Sequence, residues 1–452
     1  MENSHTSIDT FITTNLERYI QETITLCTQP SISARGEGVS ACADLVLSLM
    51  KSHGLQAQKF QTTGNPIVVG RASGKSERTL LFYNHYDVQP PEPLDLWHSP
   101  PFQPTLRDGK LFARGVSDDK GELIARLAAL DAVRSAHGGD LPCGVVFIAE
   151  GEEEVASPTI AQFVLEHKDL LRSNGSIWEG GGVDHDGCPG TALGFRGILY
   201  VELSVKTMSR DAHSGSANIL PNAAWRLLRA LASIKGQDER ILVPGFYDQA
   251  IPPSQIDIDQ LEALPGHEEQ TRQEYGISAF VNGLTGLELK KSVFNNTCNI
   301  AGFDSGYHGP GVKTVIPCNA SAKVDFRLVP DQDPDDILAK LRQHLDKQGF
   351  TDVQVKKMGA MWPFKSSAED PLVLLAKSTG EEIYRKPFRI DPLAGGSSPA
   401  YAFARPLGIS VINVGIGYPD SRAHAPDENI RLEDFEGGTR HLAYILDGFA
   451  GL

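Results

Sequence analysis

The sequence lacks the features that mark membrane-spanning, disulfide-rich and nucleic-acid-binding proteins. Its 452 residues contain no uninterrupted apolar run of the about 18 residues that a membrane-spanning helix requires. Six cysteines are scattered without a CxxC pair, so we expect reduced thiols. Basic residues number 42 against 57 acidic ones, and the resulting net charge of −15 disfavours nucleic acid and anionic membrane surfaces as partners.

The amino-terminal residues also lack a basic stretch followed by an apolar block, so the sequence predicts no secretory signal. We therefore expect a soluble protein, most simply a cytoplasmic one, with neither nucleic acid nor membrane as a partner. A length of 452 residues with 40% apolar residues predicts two or three domains with a sizeable core.

Short apolar runs alternate with helical patterns in the first half of the chain and again near its end. Predicted strands cover residues 79–83, 144–149, 176–178 and 410–414, and predicted helices cover about 8–27, 121–135 and 158–171. Such alternation is typical of an α/β domain whose sheet is mostly parallel.

The middle of the chain predicts a second, smaller α+β domain inserted into the first. Strands are expected at 199–205 and 322–328 and helices at 221–235 and 335–348, while 237–282 is expected to be a long irregular insertion. The predicted boundaries divide the chain into 1–197 and 378–452 for the α/β domain and 198–377 for the inserted domain.

Residue types that commonly bind metal ions follow the predicted strands of the α/β domain. They are His85 and Asp87, the run Glu152, Glu153 and Glu154, Glu179 and His424, with Asp118 and Asp119 just before a helix. The carboxyl ends of parallel strands share one edge of a sheet, so we expect these side chains to meet there. Imidazole and carboxylate ligands suit zinc or a similar divalent ion. Two imidazoles and at least three carboxylates would give five ligands, which is too many for one ion. The set therefore predicts two metal ions.

Each of these signals alone has an ordinary structural explanation. Acidic runs are commonly solvated loops, and Asp118 or Asp119 could simply cap the helix that follows. The joint placement of these residue types at several strand ends is the informative observation.

Nine motifs in one order give the sequence a specific resemblance. They are NHYDVQP (84–90), FARGVSDDKGELIA (112–125), AEGEEEVAS (149–157), GFRG (194–197), DAHSG (211–215), KTVIP (313–317), DFRLVPD (325–331), AGGSSPA (394–400) and AHAPDE (423–428). The sequence resembles the two-metal peptidases and deacylases that include carnosine-type dipeptidases, glutamate carboxypeptidases, acetylornithine deacetylase and succinyl-diaminopimelate desuccinylase. The resemblance implies an α/β catalytic domain with an inserted dimerisation or lid domain, and a homodimer.

The resemblance also implies a role for each matching residue. The implied metal ligands are His85, Asp118 as the bridge, Glu154, Glu179 and His424, and the ions are expected to be zinc, with manganese or cobalt as alternatives. Glu153 matches the general base, Asp87 the carboxylate that orients His85, and Asp119 the residue after a cis peptide. His213 matches a donor to the oxyanion that reaches the neighbouring subunit's site, and Arg327, Thr314 and Ser397 match substrate contacts.

Several alternatives stay open at this point. The base and ligand could be Glu152 and Glu153 instead of Glu153 and Glu154, and Asp184 competes with Glu179 as a ligand. The expected reaction is metal-dependent hydrolysis of the amide bond of dipeptides or small peptides, by a metal-activated water with a Glu general base. An N-acyl-amino-acid deacylase with the same metals is the alternative, and a non-catalytic metal-binding protein is a third interpretation.

Overall fold

The computed structural model describes residues 2–452, which divide into two compact units. The first unit runs to Leu193 and also includes Lys365–Pro392 and Ala402–Leu452. The second unit comprises Gly194–Phe364 and Leu393–Tyr401. The helices in chain order are α1 (Glu2–Thr28), α2 (Val39–Ser52), α3 (Lys120–Ala136), α4 (Ile160–Glu166), α5 (Ala223–Ile234), α6 (Gln255–Ala263), α7 (Glu268–Tyr275), α8 (Gly286–Lys291), α9 (Pro334–Lys347), α10 (Pro371–Tyr384), α11 (Tyr401–Leu407) and α12 (Leu432–Phe449).

The two longest strands, β11 and β15, have ten residues each and belong to the second unit. In chain order they are β1 (Gln56–Phe60), β2 (Ile67–Ala72), β3 (Thr79–His85), β4 (Thr105–Arg107), β5 (Lys110–Phe112), β6 (Gly144–Glu150), β7 (Gly175–Trp178), β8 (Gly182–Val183), β9 (Pro189–Ala192), β10 (Gly194–Phe195), β11 (Gly197–Lys206), β12 (Ala212–His213), β13 (Thr297–Asp304), β14 (Val315–Ile316), β15 (Asn319–Leu328), β16 (Gln354–Met361), β17 (Phe364–Lys365), β18 (Arg389–Asp391), β19 (Val411–Asn413) and β20 (Asn429–Arg431).

The first unit is built on a six-stranded sheet with the order β1-β2-β6-β3-β7-β19. Strands β6, β3, β7 and β19 run parallel, and β2 and β1 are antiparallel to their neighbours. β6 is buried along its whole length, as expected for a parallel strand covered on both faces. All four predicted strands are in this sheet, and the predicted α/β class is confirmed.

Helix α3 is the central helix of the first unit. Its buried apolar residues lie on opposite faces of the helix: Leu123, Leu127 and Leu130 are on one face, and Ala125, Ala129 and Ala132 are on the other. A helix that is apolar on several faces is stable only when it is covered on several faces. α3 contacts α1, α12 and β3, which fixes the position of its amino-terminal turn.

The second unit has a four-stranded antiparallel sheet with the order β13-β15-β11-β16. β11 alternates between buried and half-buried residues, which is typical of a sheet with one covered face. Helices α5 and α9 pack on this sheet, with Leu227 and Leu341 in the shared core.

The segment expected to be an irregular insertion is partly helical, so that expectation is wrong. It contains α6 and α7. α6 begins with a capping box in which Ser254 and Asp257 satisfy each other's backbone N–H groups, and Leu261 packs with Phe294 and Leu393. The sequence signal, Ser followed three residues later by Asp, was present but lay within a polar stretch.

The predicted domain boundaries differ in detail from the two compact units. Residue 377 lies inside α10, which is in the first unit, and the separate segment Leu393–Tyr401 is in the second. The contacts of α10 with α12 explain why this helix groups with the first unit. Among the described helices, none is both long enough and apolar enough to cross a bilayer.

Candidate metal centre

Parallel pairing brings His85 and Glu179 to the same edge of the main sheet. His85 is the last residue of β3, and Glu179 directly follows β7, which pairs parallel with β3. The His85 ring is buried, and its Nδ1 lies 3.0 Å from the backbone oxygen of Asp87 and 3.5 Å from the Asp87 carboxylate. A partner on Nδ1 fixes the ring and leaves Nε2 free to bind a ligand.

The Asp118 carboxylate is shared by two histidines. Its Oδ1 lies 2.9 Å from His85 Nε2, and its Oδ2 lies 2.9 Å from His424 Nε2. Glu179 Oε2 is 3.6 Å from His85 Nε2, and Glu154 Oε2 is 3.2 Å from His424 Nε2. The five predicted ligands thus lie together: Glu179 is beside His85, Glu154 is beside His424, and the Asp118 carboxylate lies between the two histidines.

The loop that carries Asp118 is held by Glu428. Glu428 Oε1 accepts hydrogen bonds from the backbone N–H groups of Ser117 and Asp118 at 2.9 and 3.0 Å. Its Oε2 accepts from Gly115 N at 2.9 Å and from Arg114 Nη1 at 2.7 Å. Sequence reasoning assigned Glu428 no role, although it is the last residue of the AHAPDE motif that also supplies His424.

Asp119 lies behind the ligands as a buried acceptor. Its Oδ2 accepts from Asn84 Nδ2 at 2.6 Å and from His85 N at 3.1 Å, and burial raises its pKa to about 6. The peptide bond between Asp118 and Asp119 is cis, as the resemblance implied. Side-chain atoms of Asp119, His85 and Glu179 also lie within 4.8 Å of one another.

The three consecutive glutamates point to different surroundings. Glu154 reaches His424 and accepts from Gln89 Nε2 at 2.8 Å. Glu152 accepts from Thr159 Oγ1 at 2.5 Å and packs so closely on Gly64 that a Cβ there would clash with its carboxylate. The sequence left open whether Glu152 and Glu153 or Glu153 and Glu154 are the base and the ligand. The structure brings Glu154, and not Glu152, to His424.

Asp87 orients the turn that carries Glu153 and Glu154. Its two carboxylate oxygens accept from the backbone N–H groups of these residues at 3.2 and 3.1 Å. Asp87 therefore contacts both the His85 ring and the acidic turn. Burial raises the pKa of Glu153 to about 7, near the value that suits a general base at neutral pH.

Asp184 lies in a turn of its own and not among the histidines. Its Oδ1 accepts from the backbone N–H groups of Asp186 and Cys188 at 2.9 and 2.8 Å, and its Oδ2 is 3.5 Å from Arg389 Nε. Of the two candidates considered for this ligand, Glu179 is the one that approaches His85.

The charge distribution shows that this cluster fits cations. Burial alone would raise the pKa of Asp118, but hydrogen bonds with His424 and His85 outweigh it and hold the pKa well below its usual value. The hydrogen bond between His424 and Asp118 raises the pKa of His424, and its hydrogen bond with Glu154 adds to this effect, so that the pKa is about 10. Within residues 2–452 the buried Glu179 Oε2 has no hydrogen-bond partner. Several carboxylates around two imidazoles leave excess negative charge that divalent cations would neutralise.

The remaining predicted site residues lie in the second unit. Gly215 N donates to His213 Nδ1 at 3.0 Å, and His213 Nε2 is 3.3 Å from Thr314 Oγ1. Arg327 Nη1 donates to Ser397 Oγ at 2.7 Å. The structure thus brings His213 together with Thr314, and Arg327 together with Ser397.

Comparison with known proteins identifies the family. The profile of peptidase family M20/M25/M40 matches residues 81–448. The chain is 28% identical over 402 residues to human Beta-Ala-His dipeptidase, covering 84% of this chain and 76% of that protein. It is 26% identical over 446 residues to a Cys-Gly metallodipeptidase of Schizosaccharomyces pombe, covering 91% of each.

The fold agrees with a solved structure of the same family. An M20 family metallo-carboxypeptidase from Sulfolobus solfataricus is 32% identical, with a TM-score of 0.88 over 96% of this chain and 99% of that one. The predicted resemblance and the predicted class of enzyme, a metal-dependent peptidase, are confirmed. The chain belongs to peptidase family M20/M25/M40.

Proposed function

We propose that this protein is a dipeptidase that uses two divalent metal ions. The observation that carries the proposal is the Asp118 carboxylate, whose two oxygens each face a different histidine, and each of these histidines also faces a glutamate. The relatives named Beta-Ala-His dipeptidase and Cys-Gly metallodipeptidase support small peptides as the substrate class. Nucleic acid and membranes are not among the proposed partners.

One cation would be held by His85, Asp118 and Glu179, and the other by Asp118, Glu154 and His424. Nitrogen and oxygen donors of this kind favour zinc, with manganese or cobalt as alternatives. A bound pair of divalent cations lowers the pKa of a water molecule and polarises the carbonyl of the scissile bond.

Glu153 is the proposed general base. It is adjacent in sequence to the ligand Glu154, and its backbone N–H is held by Asp87. Its carboxylate accepts a proton from the attacking water and then delivers that proton to the nitrogen of the leaving amine. Asp87 is the proposed positioning residue for His85, because it contacts the ring nitrogen that does not face Asp118.

His213 is the proposed donor to the oxyanion, and it would act on the neighbouring subunit of a homodimer. Because Gly215 N donates to Nδ1, a neutral His213 ring carries its proton on Nε2 and can donate it in a hydrogen bond. Exposed apolar side chains on the edge strand β13 (Ile300, Phe303) and on α5 (Trp225, Leu228) support association of the second unit with another copy.

Arg327, Thr314 and Ser397 are the proposed substrate contacts. The planar guanidinium of Arg327 suits a carboxylate, and the hydroxyl of Ser397 holds one of its nitrogens. We also propose a cytoplasmic location, which the six unpaired cysteines, five of them buried, support.

A substrate panel tests the reaction. With zinc, manganese or cobalt supplied, we expect dipeptides such as β-Ala-His and Cys-Gly to be cleaved with a kcat/KM at least about tenfold above that for N-acetyl amino acids. Amino acid release is measured by chromatography. Faster cleavage of the N-acetyl compounds would instead favour the deacylase, and metal binding without any turnover would favour the non-catalytic interpretation.

The role of Glu153 predicts a specific pair of variants. We expect Glu153→Gln to retain both metal ions while kcat falls by about 10²–10⁴, because the proton acceptor is lost. Glu152→Gln is the matched control, since it changes the adjacent carboxylate that contacts Thr159. Loss of turnover in Glu152→Gln alone would shift the base by one residue. Metal content by mass spectrometry and initial rates are the measurements.

The ligand assignment predicts different metal contents for two acidic variants. Glu179→Gln should lose one of two ions or bind it about 10–100-fold more weakly, whereas Asp184→Asn should bind both as the unchanged protein does.

Metal binding should also strengthen as pH rises, because an incoming cation must displace the proton of His424, whose pKa is raised to about 10. Titration calorimetry at several pH values measures both effects. If Asp184→Asn instead lost an ion while Glu179→Gln bound both, Asp184 would be the ligand.

A mixing experiment tests the shared site. Neither His213→Ala nor Glu153→Gln should be active alone, but a randomised equal mixture should recover about a quarter of the unchanged activity. Half of the dimers then contain one of each chain, and one of their two sites has both side chains intact. Refolded mixtures are assayed for dipeptide cleavage. No recovery would confine the site to one chain.

A further inference from the structure

Two arginine side chains of the second unit lie close together and have only neutral acceptors. Arg196, between β10 and β11, donates from Nη2 to the backbone oxygen of Asn295 at 2.8 Å and to Thr297 Oγ1 at 3.4 Å. Arg327 donates to Ser397 Oγ. Thr297 is also the cross-strand partner of Arg327 in the β13–β15 pair. In the described chain, neither guanidinium forms an ion pair with Asp or Glu.

Arg196 is almost completely buried, with 8% of its surface exposed, and its Nε has no hydrogen-bond partner within residues 2–452. Burial, and then the positive charge of Arg327, lower its pKa to about 10. The nearby Asp325 attracts Arg196 only from beyond ion-pair distance, and its carboxylate accepts from Asn299 Nδ2 at 2.9 Å. Within residues 2–452, neither of the two like charges is therefore neutralised by an ion pair.

Uncompensated buried charge is costly, and two adjacent like charges raise that cost. An anion that reaches Arg327 would be attracted by both guanidinium groups and would relieve the repulsion between them. A neutral group at the same place would not reduce the repulsion between the two guanidinium groups. The arginine pair therefore favours a negatively charged ligand more strongly than Arg327 alone would.

We propose that Arg196 is a specificity-determining positioning residue that makes the enzyme select peptides with a free terminal carboxylate over the same peptides blocked as amides. This inference rests on the proposed function, in which Arg327 contacts the substrate. Arg196 acts through Arg327: it supplies a second positive charge behind the guanidinium that touches the carboxylate.

Kinetics on a dipeptide and its C-terminal amide test the inference. We expect Arg196→Gln to raise KM for the free acid about tenfold, with kcat within about twofold and with KM for the amide unchanged. Arg196→Lys retains the charge and should keep the preference within about threefold. Arg226→Gln is the matched control, since it removes a guanidinium of the same unit that is paired with Asp352 at the surface.

The inference is overturned if Arg196→Gln keeps the acid-to-amide ratio of the unchanged protein, or if Arg196→Lys loses as much of the ratio as Arg196→Gln. Arg196→Met replaces Arg196→Gln if the latter does not fold, because its unbranched side chain preserves apolar packing. In the unchanged protein, added NaCl should raise KM for the free acid and not for the amide, and an equal response would also overturn the inference. Absence of all dipeptide cleavage would instead refute the proposed function.

Discussion

The organisation of the candidate metal centre depends on one carboxylate that two imidazoles share. Asp118 can lie between His85 and His424 only because α3 is fixed in the core and Glu428 holds the backbone just before it. Parallel pairing of β3 and β7 brings the proposed ligands His85 and Glu179 together, and the loop after β19 carries His424. The chemistry therefore follows from the topology of the sheet, which brings together side chains more than 300 residues apart in sequence.

The acidic turn after β6 shows how neighbouring identical residues acquire different roles. Glu152 turns toward Gly64 and Thr159, whereas Glu154 turns toward His424. Asp87 fixes this difference because it accepts from the backbone N–H groups of both Glu153 and Glu154. A side chain at a neighbouring strand end thus sets which carboxylate faces which partner. Composition alone could not distinguish the members of such a run.

Much of the fold and the metal-binding cluster could be predicted from the sequence, because apolar runs, helical periodicity and ligand types at strand ends are local signals. The grouping of His85, Asp118 and His424 was accessible in this way. The helices α6 and α7 were not, since polar residues dominate their segment and few of their side chains are buried. The role of Glu428 in holding the loop that carries Asp118 was also missed, because three of the four groups that donate to its carboxylate are backbone N–H groups, which side-chain identity does not reveal.

The AHAPDE segment has a consequence for how the protein matures. His424 and Glu428 both lie more than 300 residues after Asp118, and they respectively approach one oxygen of Asp118 and hold the loop that carries it. During synthesis, the amino-terminal ligands emerge long before this segment does. Until this segment docks, His424 cannot approach Asp118, and the hydrogen bonds from the Asp118 loop to Glu428 cannot form. Capture of two cations by the full set of proposed ligands therefore has to follow the synthesis and docking of this late segment.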